Sequence, residues 1–464
     1  MEILHIRPAF ARSVQVLLDS GEVLYKDISP FLEMELTDEE FESMIFDGDE
    51  VQFSSGQRIE KSRIESLIAP APLQSLKQIA NKAQLNEFES ELAARNLAYF
   101  LPYFTYPLSR FELTKGQKRE LADHIVMVKD KAIILQLKDK SVTGQGTLQS
   151  WFNNKVLKVA KKQIANSQEM LRELESIPLV SATGRTVKLS PKSLQRIHNV
   201  ICYRNLQEHA VETSVLPKFL DSRSAGFIHL FEYEYYALIL DTLVTFAEVF
   251  EYLGFREELI QNWKQENNLP TEAAMLGQFI CGDDNARPAE HYKNVLAALS
   301  NNTGEFDLSY FLGQFDRDVE QAVASDEHME ILEEFAILNR SELKHARDRL
   351  VKCIAFCRSG SWDDFDAWRF LVSPTGPSFL FVGINAEADN AEKLFMDLVY
   401  ASKHDTKVYR QISVGVWRRG EAVNFRWGLC EGDPIEWPEM DAKLTASNPF
   451  REMTVRVTPR YKIN

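Results

Sequence analysis

"RELADHIVMVKDKAIILQLKDK", residues 119–140, is the stretch whose reading decides the fold. Two apolar-rich runs flank a short polar break, the pattern of a β-hairpin. Within those runs stand one acid, Asp123, one glutamine, Gln136, and one lysine, Lys138. A buried charge costs free energy unless it is paired or holds a metal, so these three side chains need an explanation beyond packing. With Asp130-Lys131 as the turn, Asp123 falls opposite Lys138 and Ile125 opposite Gln136, and the three polar side chains share one face. A three-residue turn would pair Asp123 with Leu137 and split the polar groups between faces unless a bulge restored them.

The chain around this hairpin has 464 residues, too many for one ordinary core. Its hydrophobic content of 45% and aromatic content of 11% place it among globular proteins. The most apolar window, "YYALILDTLVTFAEVF", is interrupted by Asp241 and Glu248 and is too short to span a bilayer. The opening residues lack a basic flank followed by an apolar run and a cleavage site, so no secretory signal and no membrane partner are expected. The five cysteines are scattered without paired zinc spacing, which fits a reducing, cytoplasmic setting. Cys353 and Cys357 stand one helical turn apart, too little to define a metal site.

Net charge is -15, which argues against a passive nucleic-acid coat. The charge is uneven, however. From Arg110 to Arg172 there are 13 Lys and Arg against six Asp and Glu. A basic island holding the hairpin is the footprint expected of a segment that meets phosphates, and a solvated helix face is the competing explanation.

Three domains are expected. Residues 1–68 alternate as short strands, with "SVQVLLDSGEVLYKDI" and "DGDEVQFSSGQRI" as hairpins and "TDEEFESMIF" as a helix. "APAP", residues 69–72, reads as a linker. Residues 73–265 alternate helix, strands, helix, strands, helix, the order of an α/β layer domain. In "LNEFESELAARNLAYFL", Leu85, Phe88, Leu92 and Phe100 mark an apolar face, and Glu87, Glu91 and Arg95 another. "LQSWFNNKVLKVAKKQIANSQEMLREL" is amphipathic, with Trp151, Leu157, Ala160, Ile164 and Leu171 inward and Lys155, Lys158 and Lys162 beside them. Residues 266–464 read as helices followed by four strands around "NAEKLFMDLVYASK", an α/β or α+β region. No sequence repeats are visible.

An acid, then a glutamine-x-lysine about a dozen residues later on the adjacent strand, after a helix bearing Glu, resembles the PD-(D/E)xK nuclease superfamily in its Q-x-K, Mrr-like form. The hairpin is followed by "W...KKQIANSQEML" and "FIHLF...LDTLVTFAEVFEYLGFREEL", an order similar to a poorly characterised bacterial branch and spanning roughly residues 85–260. "DSGEVLYKDISPFL" and "FESMIFDGDEVQFSSGQRIEKSRIESL" resemble a small domain of unknown function linked to antitoxins and regulators.

The resemblance implies a restriction-endonuclease-like core, a central mixed sheet flanked by helices, with a small β-rich N-terminal domain. It implies a Mg²⁺- or Mn²⁺-dependent endonuclease, acting on DNA through segment 110–172, with homo-oligomers or a regulatory protein as further partners. Asp123, the Gln136 side-chain oxygen and the Leu137 carbonyl would hold the metal, and Lys138 would orient the attacking water. Glu91 is the expected first-helix acid, with Glu87 next, and Glu120 a third candidate that strict alternation points to the opposite face. Gln163 matches a polar position facing the site. Gln136 removes one negative charge relative to the Glu form, and the motif's usual proline is Ala122. The alternative is a nuclease fold that binds nucleic acid without turnover.

Other polar residues have simpler explanations. His124 alternates away from Asp123 and is expected to be a satisfied packing histidine. Asp283 and Asp284 in a Gly-Asn loop read as solvated turn residues. Trp417, Arg418 and Arg419 could clamp a nucleic acid, but a strand end beside Gly420 explains them as well.

Overall fold

The computed structural model describes residues 86–100, 104–107, 109–112, 118–140, 147–181, 185–205, 216–264, 269–283, 286–299, 327–358, 364–372, 376–385, 388–419, 422–433, 437–450 and 460–463. It also describes residues 306, 308, 312 and 315 and the backbone of six strands before residue 61. Those strands form two three-stranded sheets, β1 (Glu2–Ile6), β2 (Ser13–Leu17) and β3 (Val23–Asp27), then β4 (Ile45–Asp47), β5 (Glu50–Gln52) and β6 (Arg58–Glu60). The expected β2–β3 and β5–β6 hairpins are present. Most of the helix expected over "TDEEFESMIF" lies outside the described residues, and its end, Ile45 and Phe46, is strand.

Two compact units divide the chain. One contains Pro8–Asn302 with Tyr461–Asn464, the other Thr303–Arg460. The first therefore continues past the expected boundary at 265.

After those strands the first unit continues with α1 (Glu87–Phe100), whose Asn86 and Glu89 exchange bonds in a capping box: Glu89 N–H donates to Asn86 Oδ1 at 2.9 Å and Asn86 N–H to Glu89 Oε2 at 3.1 Å. Phe88, Leu92 and Phe100 are buried as their spacing requires; Leu85 lies outside the described residues. Strands β7 (Thr105–Pro107), β8 (Arg110–Glu112), β9 (Lys118–Glu120), β10 (His124–Val128) and β11 (Lys131–Lys140) follow.

Helix α2 comes next, starting over Leu148–Trp151, winding as a π-helix over Phe152–Ala160 and finishing as an α-helix over Lys161–Glu173. The π-turns change the buried stripe. Phe152, Val156, Ala160 and Ile164 are fully buried, whereas Trp151 and Leu157, expected inward, are only partly so. Widening the first turns from i→i+4 to i→i+5 bonds rotates the stripe relative to an ordinary helix.

The unit is completed by β12 (Ile177–Val180), β13 (Thr186–Leu189), β14 (Arg196–Asn205), β15 (Phe219–Ser222), β16 (Gly226–Glu232), α3 (Tyr233–Leu243), α4 (Phe246–Trp263), α5 (Glu272–Cys281) and α6 (Lys293–Ala298). The central sheet is mixed, in the order β15-β16-β14-β11-β10-β7. β10 runs antiparallel to β11, while β11, β14 and β16 are parallel. Ile125, Met127, Ala132, Ile134 and Ile201 pack with the buried side of α2 in one core. Helices α1 and α4 reach the other face, where Arg204 sits over Phe88 and His198 meets Phe250 edge-on. Each fully buried aliphatic side chain of such a core contributes about 1.5–3 kcal/mol.

The hairpin turn is Lys129-Asp130, one residue earlier than expected, and β10 pairs His124 with Leu135 and Val128 with Lys131. Lys129 takes φ 54°, and the Asp130 carbonyl accepts from the N–H groups of Gln195 and Arg196 at 2.8 and 3.2 Å. That tie to the start of β14 draws Lys131 into the strand opposite Arg196. Moving the turn by one residue shifts the pairing by two, so facing is unchanged. Continued one step, the register sets Asp123 opposite Gln136.

The second unit carries α7 (Glu327–Ala336), α8 (Arg340–Arg358), β17 (Phe365–Leu371), β18 (Ser378–Ile384), α9 (Ala388–Thr406), β19 (Arg410–Arg419), β20 (Ala422–Glu431) and α10 (Pro438–Ala446). Its sheet order is β17-β18-β19-β20, with β17 antiparallel to β18 and β18 parallel to β19 across α9. Helix, antiparallel pair, crossover helix, parallel strand is also the order α1, β10–β11, α2, β14. The layout recurs without a visible sequence repeat. In the second unit the end of the hairpin where β17 begins is apolar under the crossover helix, with Phe365 opposite Ile384 and Ala367 opposite Val382, all in the core with Phe395. Further along that face, Arg369 and Ser378 pair with Asp405 of α9 and with Gln411.

Candidate functional site

Asp123 stands just before β10, on a segment held at several points. Leu121 N–H donates to the Ser109 carbonyl at 2.9 Å, and the Ser167 hydroxyl of α2 donates to the Leu121 carbonyl. Ala122 N–H donates to Ser109 Oγ at 2.7 Å, and Ser109 Oγ–H to the Ala122 carbonyl at 2.8 Å. A proline at 122 would lose the first of these bonds, so Ala122 and Ser109 together fix the approach to Asp123.

Side chains alternate along a strand. Asp123, Gln136 and Lys138 therefore share the face that carries Ile125 and Ile134, beneath α2. Asp123, 9% exposed, accepts at Oδ2 from Leu137 N–H at 2.6 Å and from Lys138 Nζ at 3.5 Å. Lys138 Nζ also donates to the Leu137 carbonyl at 2.6 Å. The lysine thus covers two of the positions expected to face a metal. Gln136 is 3% exposed, yet among the described residues its Oε1 has no hydrogen-bond partner, and neither has Oε1 of Gln163 on α2. A buried carbonyl oxygen left unpaired costs about 1–3 kcal/mol, and that of Gln136, opposite Asp123 in the continued register, makes with the carboxylate the kind of oxygen pair a hard cation takes.

The first-helix acid differs from expectation. Glu91 accepts from Arg204 Nη1 at 2.8 Å and from the Tyr233 hydroxyl at 2.8 Å, while Arg204 Nη2 holds Asp139 at 3.0 Å. Asp139 alternates away from Lys138, so Glu91 belongs to the opposite face of the sheet. Glu87 is exposed and is felt by the same arginine. The acid electrostatically linked to Asp123 is Glu89: burial raises its carboxyl pKa, and repulsion from Asp123 and Glu120 raises it further, against the Asn86 backbone bond and Arg110. Glu120 itself accepts from Arg110 Nε at 3.0 Å. The four-residue recurrence of Glu87, Glu91 and Arg95 hid Glu89, whose capping-box position was the available signal.

His124 is fully buried, but neither ring nitrogen has a partner among the described residues. It is a packing residue without satisfied polar atoms, and burial pushes its pKa down to about 3. Asp283 accepts from the Tyr292 hydroxyl at 2.8 Å; Asp284 lies outside the described residues. Trp417 is buried, 6.3 Å from Phe395 between ring centres, and offers no stacking face; Arg418 is exposed.

One group that sequence reading missed is His198, His229 and Glu257, whose candidate ligand atoms lie within 4.8 Å of one another. The histidines come from β14 and β16 and the acid from α4, so only the fold assembles them. Burial lowers the His198 pKa to about 4 and holds His229 well below its ordinary value. Arg256 Nη1, always a donor, lies 3.1 Å from His229 Nδ1. That bond uses the ring's one lone pair and leaves Nε2 protonated, so this trio suits a cation poorly.

Comparison of the chain with protein-family models, with curated proteins and with solved structures finds no match in any of the three.

Proposed function

We propose that the protein is a metal-dependent nuclease that hydrolyses phosphodiester bonds in DNA, with Asp123, Gln136 and Lys138 as its active residues and Glu89 as the helix acid. The observation that carries the reading is the gathering of Asp123, Gln136 and Lys138 on one covered face, with the Gln136 and Gln163 carbonyl oxygens unpartnered among the described residues. The sequence likeness to PD-(D/E)xK nucleases and the helix, hairpin, helix, strand order support the same reading. Mg²⁺ or Mn²⁺ would supply a more acidic water and neutralise charge on the phosphorus. Asp123 and Gln136 would hold the ion. Lys138, released from the Leu137 carbonyl, would orient the nucleophile and meet the developing charge.

The test is incubation of the purified protein with plasmid, linear duplex, single-stranded DNA and RNA, in Mg²⁺, Mn²⁺ or EDTA. Metal-dependent cutting of DNA is expected; no cutting in either metal overturns the reading. A second reading, a nuclease fold that binds nucleic acid without turnover, is favoured by the 2.6 Å bond from Lys138 to the carbonyl a metal would use. Calorimetry decides between them. Absence of Mg²⁺ and Mn²⁺ binding alongside intact DNA binding selects the second.

A further inference from the structure

From Ser141 to Gln168 the chain has four lysines, Lys155, Lys158, Lys161 and Lys162, and not one Asp or Glu, although its net charge is -15. None of the four has an ion pair among the described residues. Three of them face a depression of about 540 Å³ on the flank of α2, which Asn153 also lines. A second depression, of about 360 Å³, continues along the helix past Gln168 and Arg172. Both are closed on the far side by Ser224, in the turn between β15 and β16. The result is one groove from Asn153 to Arg172, roughly 25–30 Å long at the rise of a helix. One acid, Glu257, lines its far end.

The groove is not the hairpin site. At 100° per residue, Lys161, Ala165, Gln168 and Arg172 fall on one side of the buried stripe Ile164, Ser167 and Leu171, and Gln163 falls on the other. Helix α2 is therefore a ridge between them, about 10–12 Å across.

We propose that this groove holds the phosphate backbone of duplex DNA, on the opposite side of α2 from Asp123; the nuclease reading supplies the identity of the polyanion. Lysines three and four residues apart, with Asn, Gln, Ser and Arg between them, give a row of donors and cations suited to phosphate oxygens. The partner is a duplex rather than a single strand, because single-strand grooves stack bases on exposed rings. The aromatic lining this groove, Phe227, is 9% exposed and stacked on Phe219. The width of the ridge also matches a duplex major groove, about 12 Å wide. With α2 in that groove, the lysines meet one backbone while Asp123 faces the other.

The test measures binding of a fluorescent duplex two helical turns long to the full chain in EDTA, over a series of salt concentrations. The combined variant Lys158→Gln, Lys161→Gln, Lys162→Gln is compared with Lys188→Gln, Lys192→Gln, which neutralises two exposed lysines elsewhere in the same unit. Circular dichroism checks that both retain the fold. The groove variant is expected to bind at least tenfold more weakly, with the slope of log K against log salt reduced by about 2.7, at 0.9 per phosphate contact. The control should bind as the parent does, and a single strand of equal length should bind the parent more weakly than the duplex.

Parent-like binding by the groove variant, an equal loss in the control, or tighter binding of the single strand overturns the proposal. Because metal is absent, this outcome is separate from cleavage. A chain that binds duplex through the groove but never cuts loses the nuclease reading alone. One that cuts but binds independently of the lysines loses the groove alone.

Discussion

The backbone N–H of Leu137 donates to Asp123 Oδ2 at 2.6 Å, a charge-assisted bond running across the hairpin between the two other site residues. The carboxylate is thus positioned by the strand that carries Gln136 and Lys138 rather than by a mobile side chain.

Asp123→Ala removes that acceptor and leaves the Leu137 N–H and the Lys138 ammonium poorly compensated near the core. A loss of about 2 kcal/mol in urea unfolding is expected, with plasmid cleavage abolished. Lys138→Ala should abolish cleavage with a smaller loss of stability. Cleavage surviving in either variant removes the site from this face.

Gln136→Glu replaces an orphaned carbonyl oxygen with a carboxylate. Without metal the new charge is buried and unpaired, so the variant should unfold at lower urea than the parent. With Mn²⁺ the added negative ligand should tighten binding roughly tenfold, read by calorimetry. Weaker metal binding in Gln136→Glu would mean that the side chain does not face the ion.

Glu89 and Glu91 should separate cleanly. The Glu89 carboxyl is raised above 4.5 in the fold by burial and by Asp123 and Glu120. The folded chain therefore holds its proton longer than the unfolded chain does, and Glu89 lowers stability as pH rises from about 4.5 through the raised value. Metal affinity, which needs the ionised form, should climb over the same window. Glu89→Gln is expected to flatten both trends. Glu91→Gln should leave metal binding unchanged while costing about 1–3 kcal/mol through the broken Arg204 and Tyr233 bonds.

His124, whose pKa is about 3 in the fold, must remain neutral to stay buried. The unfolded chain takes up its proton near pH 6.5, so this residue's effect is absent above that value and grows on acidification. By pH 4 it costs about 3 kcal/mol. His124→Leu should recover that amount in urea unfolding at pH 4 compared with pH 7. An unchanged difference between the two pH values would show that another group controls the acid limb.

The hairpin, the amphipathic helix after it and the α/β order of both units were legible because periodicity and strand length carry them. The facing of Asp123, Gln136 and Lys138 was legible too, since facing depends only on whether the register is odd or even. The turn itself was misplaced by one residue. Lys129 in a left-handed conformation has no sequence signal, and the carbonyl of Asp130 is anchored by Gln195 and Arg196, more than sixty residues away. The π-turns of α2, the allegiance of Glu91 to Arg204, and the meeting of His198, His229 and Glu257 depend in the same way on long-range packing.

The recurrence of the α1, β10–β11, α2, β14 order in α8, β17–β18, α9, β19 amounts to an experiment already run within one chain. There, Phe365, Ile384, Ala367 and Val382 fill the face that Asp123, Gln136 and Lys138 occupy in the first unit. At that end a hairpin of this connectivity closes under its crossover helix with hydrocarbon, while Arg369 and Ser378 lie further along the same face, paired with Asp405 and Gln411. Folding does not ask for the acid, the amide and the amine. Their retention in one unit and absence from the other separates what the architecture needs from what that unit does.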